Sequence, residues 1–187
     1  MVKPAILIGA CIMTFSAIMP ATAQEAPMNA HQFTFSSIDG GDFALSQYRG
    51  KAVLVVNTAS FCGFTRQYTA LQALWSQRRE QGLVVLGVPS GDFGGQEYES
   101  EAEIKDFCDV NFDVDFPMTT REKVSGADAH PFYQWARAEL GEDQAPKWNF
   151  HKYLVGPNGD LVASFATRVT PDDPVIWDAI DIALSRP

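Results

Sequence analysis

Basic residues, histidine and cysteine are all scarce in this chain. Its 187 residues include 14 Lys and Arg against 23 Asp and Glu, which gives a formal net charge of −9. An acidic chain of this kind is a poor partner for nucleic acid or for an anionic membrane surface, and we expect neither association. The only histidines are His31, His130 and His151, and none lies in a metal-ligand spacing. We therefore expect no metal and no other cofactor.

The first residues have the pattern of a cleaved signal peptide. Lys3 supplies a positive start, an apolar stretch follows, and Ala21-Thr22-Ala23 is a small-residue cleavage signal. A membrane anchor is the weaker alternative because the apolar run is short, and lipoprotein processing at Cys11 would divide that run. We expect residues 1–23 to be removed, residues 24–187 to form a single domain without repeats, and the product to be exported, with the periplasm as its compartment.

Two cysteines remain after such cleavage, Cys62 and Cys108. In an exported protein a pair of thiols is consistent with a structural disulfide. It is equally consistent with a redox pair that opens and closes during a reaction cycle. The sequence around each cysteine has to distinguish these alternatives.

Hydrophobic patterning predicts an α/β domain with a central mixed sheet flanked by helices. A βαβ unit across 53–88 requires parallel strands, whereas the turn 157–160 indicates an antiparallel hairpin, and Ser100 with Glu103 has the pattern of a capping box. The predicted strands are 33–38, 43–45, 53–59, 83–88, 116–119, 153–155 and 161–165. The predicted helices are 65–80, 100–111, 130–140 and 173–184.

Cys62 lies where a predicted strand ends and a predicted helix begins. Thr65 is the expected helix cap, so Cys62 would sit near the free N–H groups and the positive end of the helix dipole. That setting stabilises a thiolate, and Gly63 would let the backbone turn tightly and leave the sulfur uncovered. A buried, inert cysteine explains neither the glycine nor the helix start. We therefore predict a reactive thiol.

Several separated motifs resemble the glutathione peroxidase family. They cover nearly the whole chain after residue 30, in the order "NTASFCGFT", "FGGQE", "FPM", "HPFY", "KWNF" and "YLVGPNG". The resemblance implies a thioredoxin-like fold and the reduction of hydroperoxides, either hydrogen peroxide or organic hydroperoxides.

Site residues follow from the same resemblance. It implies that Cys62 is the peroxidatic residue and that Gln96, Trp148 and Asn149 are its polar partners. Independently, a thiolate that attacks an O–O bond needs neutral hydrogen-bond donors, and amide and indole N–H groups supply them. Arg66 and Lys147 lie near the expected site, but no ligand can be assigned to them.

Two departures from the family pattern bear on the reductant. Many relatives carry a cysteine where this chain has Ser90, so only two thiols remain for a reaction cycle. The stretch 140–147 is short, whereas the tetrameric, glutathione-using members have an insertion there. This implies a monomer that is regenerated by a thioredoxin-like protein or another thiol reductant.

Cys108 departs from the pattern by one position. Members with two working cysteines commonly carry the resolving one a residue later, where this chain has Asp109. One residue rotates a helical side chain by about 100°, which can move a thiol from solvent to core. Cys108 is therefore either the resolving cysteine or a buried, inert one.

A thiol–disulfide oxidoreductase and a redox sensor are the alternatives to a peroxidase. A thiol–disulfide oxidoreductase acting on exported proteins usually has a Cys-x-x-Cys motif, but Thr65 occupies the second cysteine position here. A redox sensor or relay that passes its disulfide to a partner would need every residue named above. Only the rate of turnover separates that function from a peroxidase.

Overall fold

The computed structural model describes residues 28–185. This part of the chain contains six strands and four α-helices. The strands are β1 Thr34–Ser36, β2 Asp42–Ala44, β3 Ala52–Thr58, β4 Leu83–Pro89, β5 Lys152–Val155 and β6 Leu161–Phe165. The helices are α1 Gln67–Arg78, α2 Glu101–Phe112, α3 Pro131–Leu140 and α4 Pro174–Ser185.

The central sheet has the strand order β4-β3-β5-β6. β3 pairs in parallel with β4, across the connection that contains α1, and antiparallel with β5. β5 and β6 form an antiparallel hairpin, and β1 and β2 form a separate one. The predicted α/β architecture with a mixed central sheet and flanking helices is confirmed.

Residues 52–56 of β3 are all apolar, as expected of a strand that is covered on both faces. Leu54 and Val56 point into a core formed with α1, α2 and α4, whereas Val53 and Val55 point into a second core with α3 and the first hairpin. Alternation of successive side chains between the two faces follows from the strand's twofold period. The carboxyl end of β3 is therefore held rigidly from both sides, and the segment that carries Cys62 starts there.

One predicted strand is wrong. Residues 116–119 form only isolated bridges, Met118 with Gly87 and Thr119 with Ser37. Pro117 has no N–H to donate, although its carbonyl accepts a bond from the Gly87 N–H at 2.9 Å. A proline in the middle of the segment thus limits it to single bridges.

The helix caps also differ from the prediction. α1 begins at Gln67, two residues late, and the Thr65 hydroxyl makes no cap bond to a helix N–H. α2 begins after Ser100 as predicted, but the Ser100 hydroxyl makes no cap bond either, so the capping box is not formed. Residue preferences located both helix starts to within two residues without predicting how their ends are bonded.

The predicted signal peptide, residues 1–23, lies outside the described residues. Within residues 28–185, no helix is both long enough and apolar enough to span a bilayer.

Candidate active site

Cys62 lies in the tight connection between β3 and α1. The helix begins five residues after it, and its N-cap is Arg66 instead of the predicted Thr65, so Cys62 lies four residues before the cap and not three. Thr65 closes the turn instead: its N–H and its hydroxyl both donate to the Cys62 carbonyl, at 3.1 and 2.5 Å. The hydroxyl that was expected to cap the helix is used to shape the cysteine loop.

The sulfur of Cys62 has a backbone donor of its own. The Phe64 N–H points to Sγ at 3.5 Å, and Cys62 exposes 7% of its surface. A nearby N–H stabilises negative charge on sulfur, as the helix end was expected to do. Gly63 is exposed, and a Cβ added to it would meet nothing within 4 Å. Its φ is not positive, so the turn does not depend on glycine, and the prediction that Gly63 leaves the thiol uncovered is wrong because Cys62 is buried.

Two predicted partners of Cys62 are bonded to each other next to the cysteine loop. The Gln96 carbonyl accepts a hydrogen bond from the N–H of Phe61, the residue before Cys62, at 2.9 Å. The Asn149 amide donates to Gln96 Oε1 at 3.1 Å and to the Phe93 carbonyl at 3.4 Å. The structure therefore brings Gln96 and Asn149 together beside the segment that contains Cys62.

The hydrogen bonds give the two amides different tasks. Asn149 Nδ2 donates to two oxygens, the Phe93 carbonyl and Gln96 Oε1, so it is used to hold the loop and to orient Gln96. Asn149 Oδ1 is buried and has no partner. Gln96 Oε1 is occupied by Asn149, which leaves the Gln96 Nε2 group as the donor that this pair can offer to a bound oxygen.

Trp148 forms the exposed edge of the site. Its ring is 38% exposed and packs against Phe93, with centroids 6.0 Å apart. Its carbonyl accepts a bond from the Asn57 amide at 3.2 Å, which ties the tryptophan to the end of β3. The indole stays accessible while its backbone is fixed, as a side chain that meets an incoming substrate must be.

The residue after Asn149 has a strained backbone. Phe150 is a non-glycine residue with φ 62, and it is fully buried. Its N–H donates to the Asn57 carbonyl at 2.6 Å, and its ring contacts Tyr68 edge-on at 5.3 Å. Left-handed non-glycine residues are uncommon and cluster at functional sites. Asn57 and Tyr68 hold this turn, which sets the directions of Trp148 and Asn149.

Cys108 lies on the inner face of α2 and is 1% exposed. Cys62 and Cys108 are both free thiols, and both belong to the core that contains α1 and α4. Burial raises the pKa of the Cys108 thiol to about 12, against a smaller opposing effect of the Tyr68 hydroxyl. In the reduced fold this thiol stays protonated at neutral pH. The resolving role remains a prediction.

Lys152 was not among the predicted site residues. It is fully buried in β5, and its Nζ donates to Gln67 Oε1 at 2.5 Å and to the Val169 carbonyl at 2.6 Å. This joins the start of α1, which follows the cysteine loop, to the strand that follows Asn149. A lysine in an otherwise apolar strand run was the available sequence signal.

Lys152 should make the stability of the fold depend on pH above neutrality. Burial lowers its pKa to about 7 from 10.5. Between these values the unfolded chain binds more protons than the folded one, so stability rises with pH, by at most about 1.4 kcal/mol per pH unit for one group. We expect urea denaturation between pH 7 and 9 to show this rise in the wild type and a flatter profile in Lys152→Met. Lys51→Met, which removes an exposed lysine, is the control; an unchanged slope in Lys152→Met would contradict the assignment.

Arg66 and Lys147 both lie at the margins of the site. Arg66 is exposed and lines a groove with Gly63 and Phe64, next to Cys62. Lys147 precedes Trp148, and its Nζ donates to the Glu142 carbonyl at 2.8 Å. Neither contact assigns a ligand.

Comparison with known proteins identifies the family. The family model described as glutathione peroxidase matches residues 30–137. A glutathione peroxidase of Lactococcus lactis is 38% identical over 148 residues, which is 78% of this chain and 94% of that protein. A hydroperoxy fatty acid reductase of Synechocystis sp. is 39% identical over 157 residues, 80% of this chain and 93% of the relative.

Solved structures agree on the fold. The apo structure of the protein named Trgpx has a TM-score of 0.70 and 35% identity, and the match covers 87% of this chain and 99% of that one. A thioredoxin-family thiol:disulfide interchange protein of Chlorobium tepidum has a TM-score of 0.61 at 17% identity, covering 87% of this chain and all of the other. The second match concerns the fold alone, which is thioredoxin-like as predicted.

Proposed function

This chain belongs to the glutathione peroxidase family and is a peroxidase, and we propose that Cys62 is the residue that reduces the hydroperoxide. One observation carries the proposal. A free cysteine with an N–H donor on its sulfur lies in a loop whose neighbouring residue, Phe61, is bonded to Gln96. Gln96 in turn is oriented by Asn149, with Trp148 at the open edge.

The proposed first step is an attack by the Cys62 thiolate on an O–O bond. A bond forms between sulfur and one oxygen, the O–O bond breaks, and the other oxygen leaves as an alcohol or as water after taking up a proton. The sulfur is oxidised to a sulfenic acid and the peroxide is reduced. Gln96 Nε2 and the Trp148 indole N–H are suited to stabilise the leaving oxygen, because both remain neutral donors.

In the second step the Cys108 sulfur would displace the sulfenic oxygen. A disulfide forms, and the sulfenic hydroxyl leaves as water after taking up the proton of the Cys108 thiol. We expect the reduced fold to hold the two Cα atoms farther apart than the roughly 4.4–6.8 Å that a disulfide needs, so α2 would have to open first. Opening would also return the thiol from a pKa of about 12 toward its ordinary value, so the same movement would deliver and activate it.

Several features of the C-terminal end of α2 would lower the free energy of its local unfolding. Its last turn has no basic residue, and Asp109 there opposes the helix dipole. Val110 is 80% exposed, and Asp113 ends the helix in a left-handed conformation with φ 51. Opening would break the contact of Phe112 with Tyr68, but exposed helix ends belong to the part of a domain that unfolds locally most readily.

A dithiol protein of the thioredoxin class is the proposed reductant. It would reduce the Cys62–Cys108 disulfide by thiol exchange, becoming oxidised itself. The short 140–147 stretch, which contains a single turn of 3-10 helix at Glu142–Gln144, supports a monomer with an open site. Export to the periplasm, proposed from the pattern of residues 1–23, would require such a reductant in the same compartment.

The reductant can be tested by supplying electrons from one source at a time. We expect rapid turnover of hydrogen peroxide with a thioredoxin system and little or none with glutathione, because the insertion of the glutathione-using relatives is absent. The measurement is steady-state peroxide consumption, with light scattering to establish the oligomeric state. Efficient glutathione-driven turnover or a stable tetramer would overturn this part of the proposal.

A further inference from the structure

Glu97 is a buried carboxyl group whose bonds converge on the cysteine loop. It exposes 4% of its surface. Glu97 Oε1 accepts bonds from the Ser60 hydroxyl at 2.5 Å, the Ser60 N–H at 3.2 Å and the Tyr98 N–H at 3.0 Å. Two of these donors belong to the residue at the start of the loop that contains Cys62.

The segments on either side of this carboxyl are the ones that a peroxidase must align. Ser60 and Phe61 lead directly into Cys62, and Gln96 precedes Glu97. The Phe61 N–H also donates to the Gln96 carbonyl, at 2.9 Å, and so joins the same two short segments. Without Glu97, this backbone bond and the Asn149 bond to the Gln96 side chain would have to keep Gln96 in place relative to the sulfur.

Burying the Glu97 carboxyl group is energetically unfavourable, which indicates that its hydrogen bonds have a role beyond packing. Burial raises the pKa of Glu97, against smaller opposing effects of the Ser60 and Tyr98 bonds. Glu97 Oε2 is buried without a partner, as are Tyr68 OH and Thr58 Oγ1. A buried acidic group with a free oxygen destabilises a fold by about 1–3 kcal/mol unless its remaining bonds compensate. Packing alone would be served better by an apolar side chain.

We propose that Glu97 is a positioning residue that sets the alignment of the Gln96 side chain with Cys62 by clamping Ser60. This inference rests on the proposed role of Cys62 and adds a residue that does not touch the substrate. Its effect is transmitted through Gln96. A displacement of about 1 Å between reacting groups can lower a rate by about 100-fold.

The test measures the second-order rate constant for oxidation of Cys62 by hydrogen peroxide in a single turnover. We expect Glu97→Ala to lower this constant by about 10- to 100-fold. Glu97→Gln should stay within about threefold of the wild type, because an amide oxygen accepts the same bonds. Glu122→Gln is the matched control, because its half-buried carboxyl also has a pKa raised by burial but lies on another segment.

Two further measurements separate positioning from general damage. Ser60→Ala removes one bond of the clamp and leaves the carboxyl in place, so it should lower the constant by several-fold even if Glu97→Ala does not fold. Alkylation of Cys62 by iodoacetamide releases iodide and has no oxygen leaving group for Gln96 to stabilise. We therefore expect Glu97→Ala to slow alkylation much less than peroxide oxidation.

A double-mutant cycle with Gln96 gives the decisive result. If Glu97 acts through Gln96, Glu97→Ala should slow the reaction little further in a Gln96→Ala background. Fully multiplicative effects, or a wild-type constant in both Glu97→Ala and Ser60→Ala, would overturn the inference. These failures differ from failure of the proposed function, in which peroxide would not oxidise Cys62 of the wild type at all.

Discussion

Cys62→Ser should reduce hydrogen peroxide no faster than the uncatalysed background, on the order of 10³-fold or more below the wild type. A serine hydroxyl is not ionised at neutral pH and cannot be oxidised to an analogue of the sulfenic acid. The substitution exchanges sulfur for a smaller oxygen atom at a site that is 7% exposed, so the fold should lose no more than about 1 kcal/mol. Peroxide consumption with a thioredoxin system and thermal denaturation measure both quantities.

The matched control for this variant is the same substitution at the other thiol. Cys108→Ser should still consume one equivalent of peroxide in a single turnover, because the first step needs only Cys62. Near-normal peroxidase turnover by Cys62→Ser would remove the basis for every step proposed here. Loss of its melting transition would instead show that the thiol is needed for folding.

Cys108→Ser should have the second-largest effect, on turnover driven by thioredoxin. We expect a fall of at least about tenfold, because a thioredoxin would have to attack a sulfenic acid in a nearly closed site instead of a disulfide. The first oxidation of Cys62 should be unchanged. Steady-state and single-turnover assays on the same preparation distinguish the two effects.

Mass spectrometry and hydrogen exchange on the peroxide-treated wild type provide an independent check on this prediction. After one equivalent of peroxide, mass spectrometry should find a Cys62–Cys108 link, and hydrogen exchange should rise across 104–115, where α2 must open. If Cys108→Ser cycles normally with thioredoxin and no link forms, Cys108 is a core residue and the enzyme works with one cysteine.

The fold was predictable from sequence where hydrophobic patterning was strong. The continuously apolar strands β3 and β4 and the turn at 157–160 were enough to predict a mixed sheet. The wrong predictions concern positions where a side chain can bond to more than one backbone group or interrupts a strand. Thr65 can donate to a carbonyl as readily as it can cap a helix, and Pro117 interrupts a segment whose other residues favour a strand.

The motifs predicted the residues of the site but not the directions of their hydrogen bonds. They pointed to Gln96, Trp148 and Asn149; the structure bonds Gln96 to Asn149 and to Phe61 and packs Trp148 on Phe93, and the roles of these residues stay predictions. The sequence did not predict that the Asn149 amide donates to Gln96 and Phe93, because these bonds depend on the positions of carbonyl groups that are distant in the sequence. Asn57 and Glu97 lie within the quoted motifs, but they were missed because a motif does not reveal which segments its polar side chains join.

The central claim is that peroxide oxidises the sulfur of Cys62, and trapping the product tests it most directly. Cys108→Ser is treated with one equivalent of hydrogen peroxide in the presence of a sulfenic-acid-specific dimedone reagent and then analysed by peptide mass spectrometry. Without Cys108 the sulfenic acid cannot be resolved within the chain, so we predict one adduct, on Cys62. Consumption of the peroxide with no adduct on Cys62, or with oxidation at another residue instead, would contradict the claim.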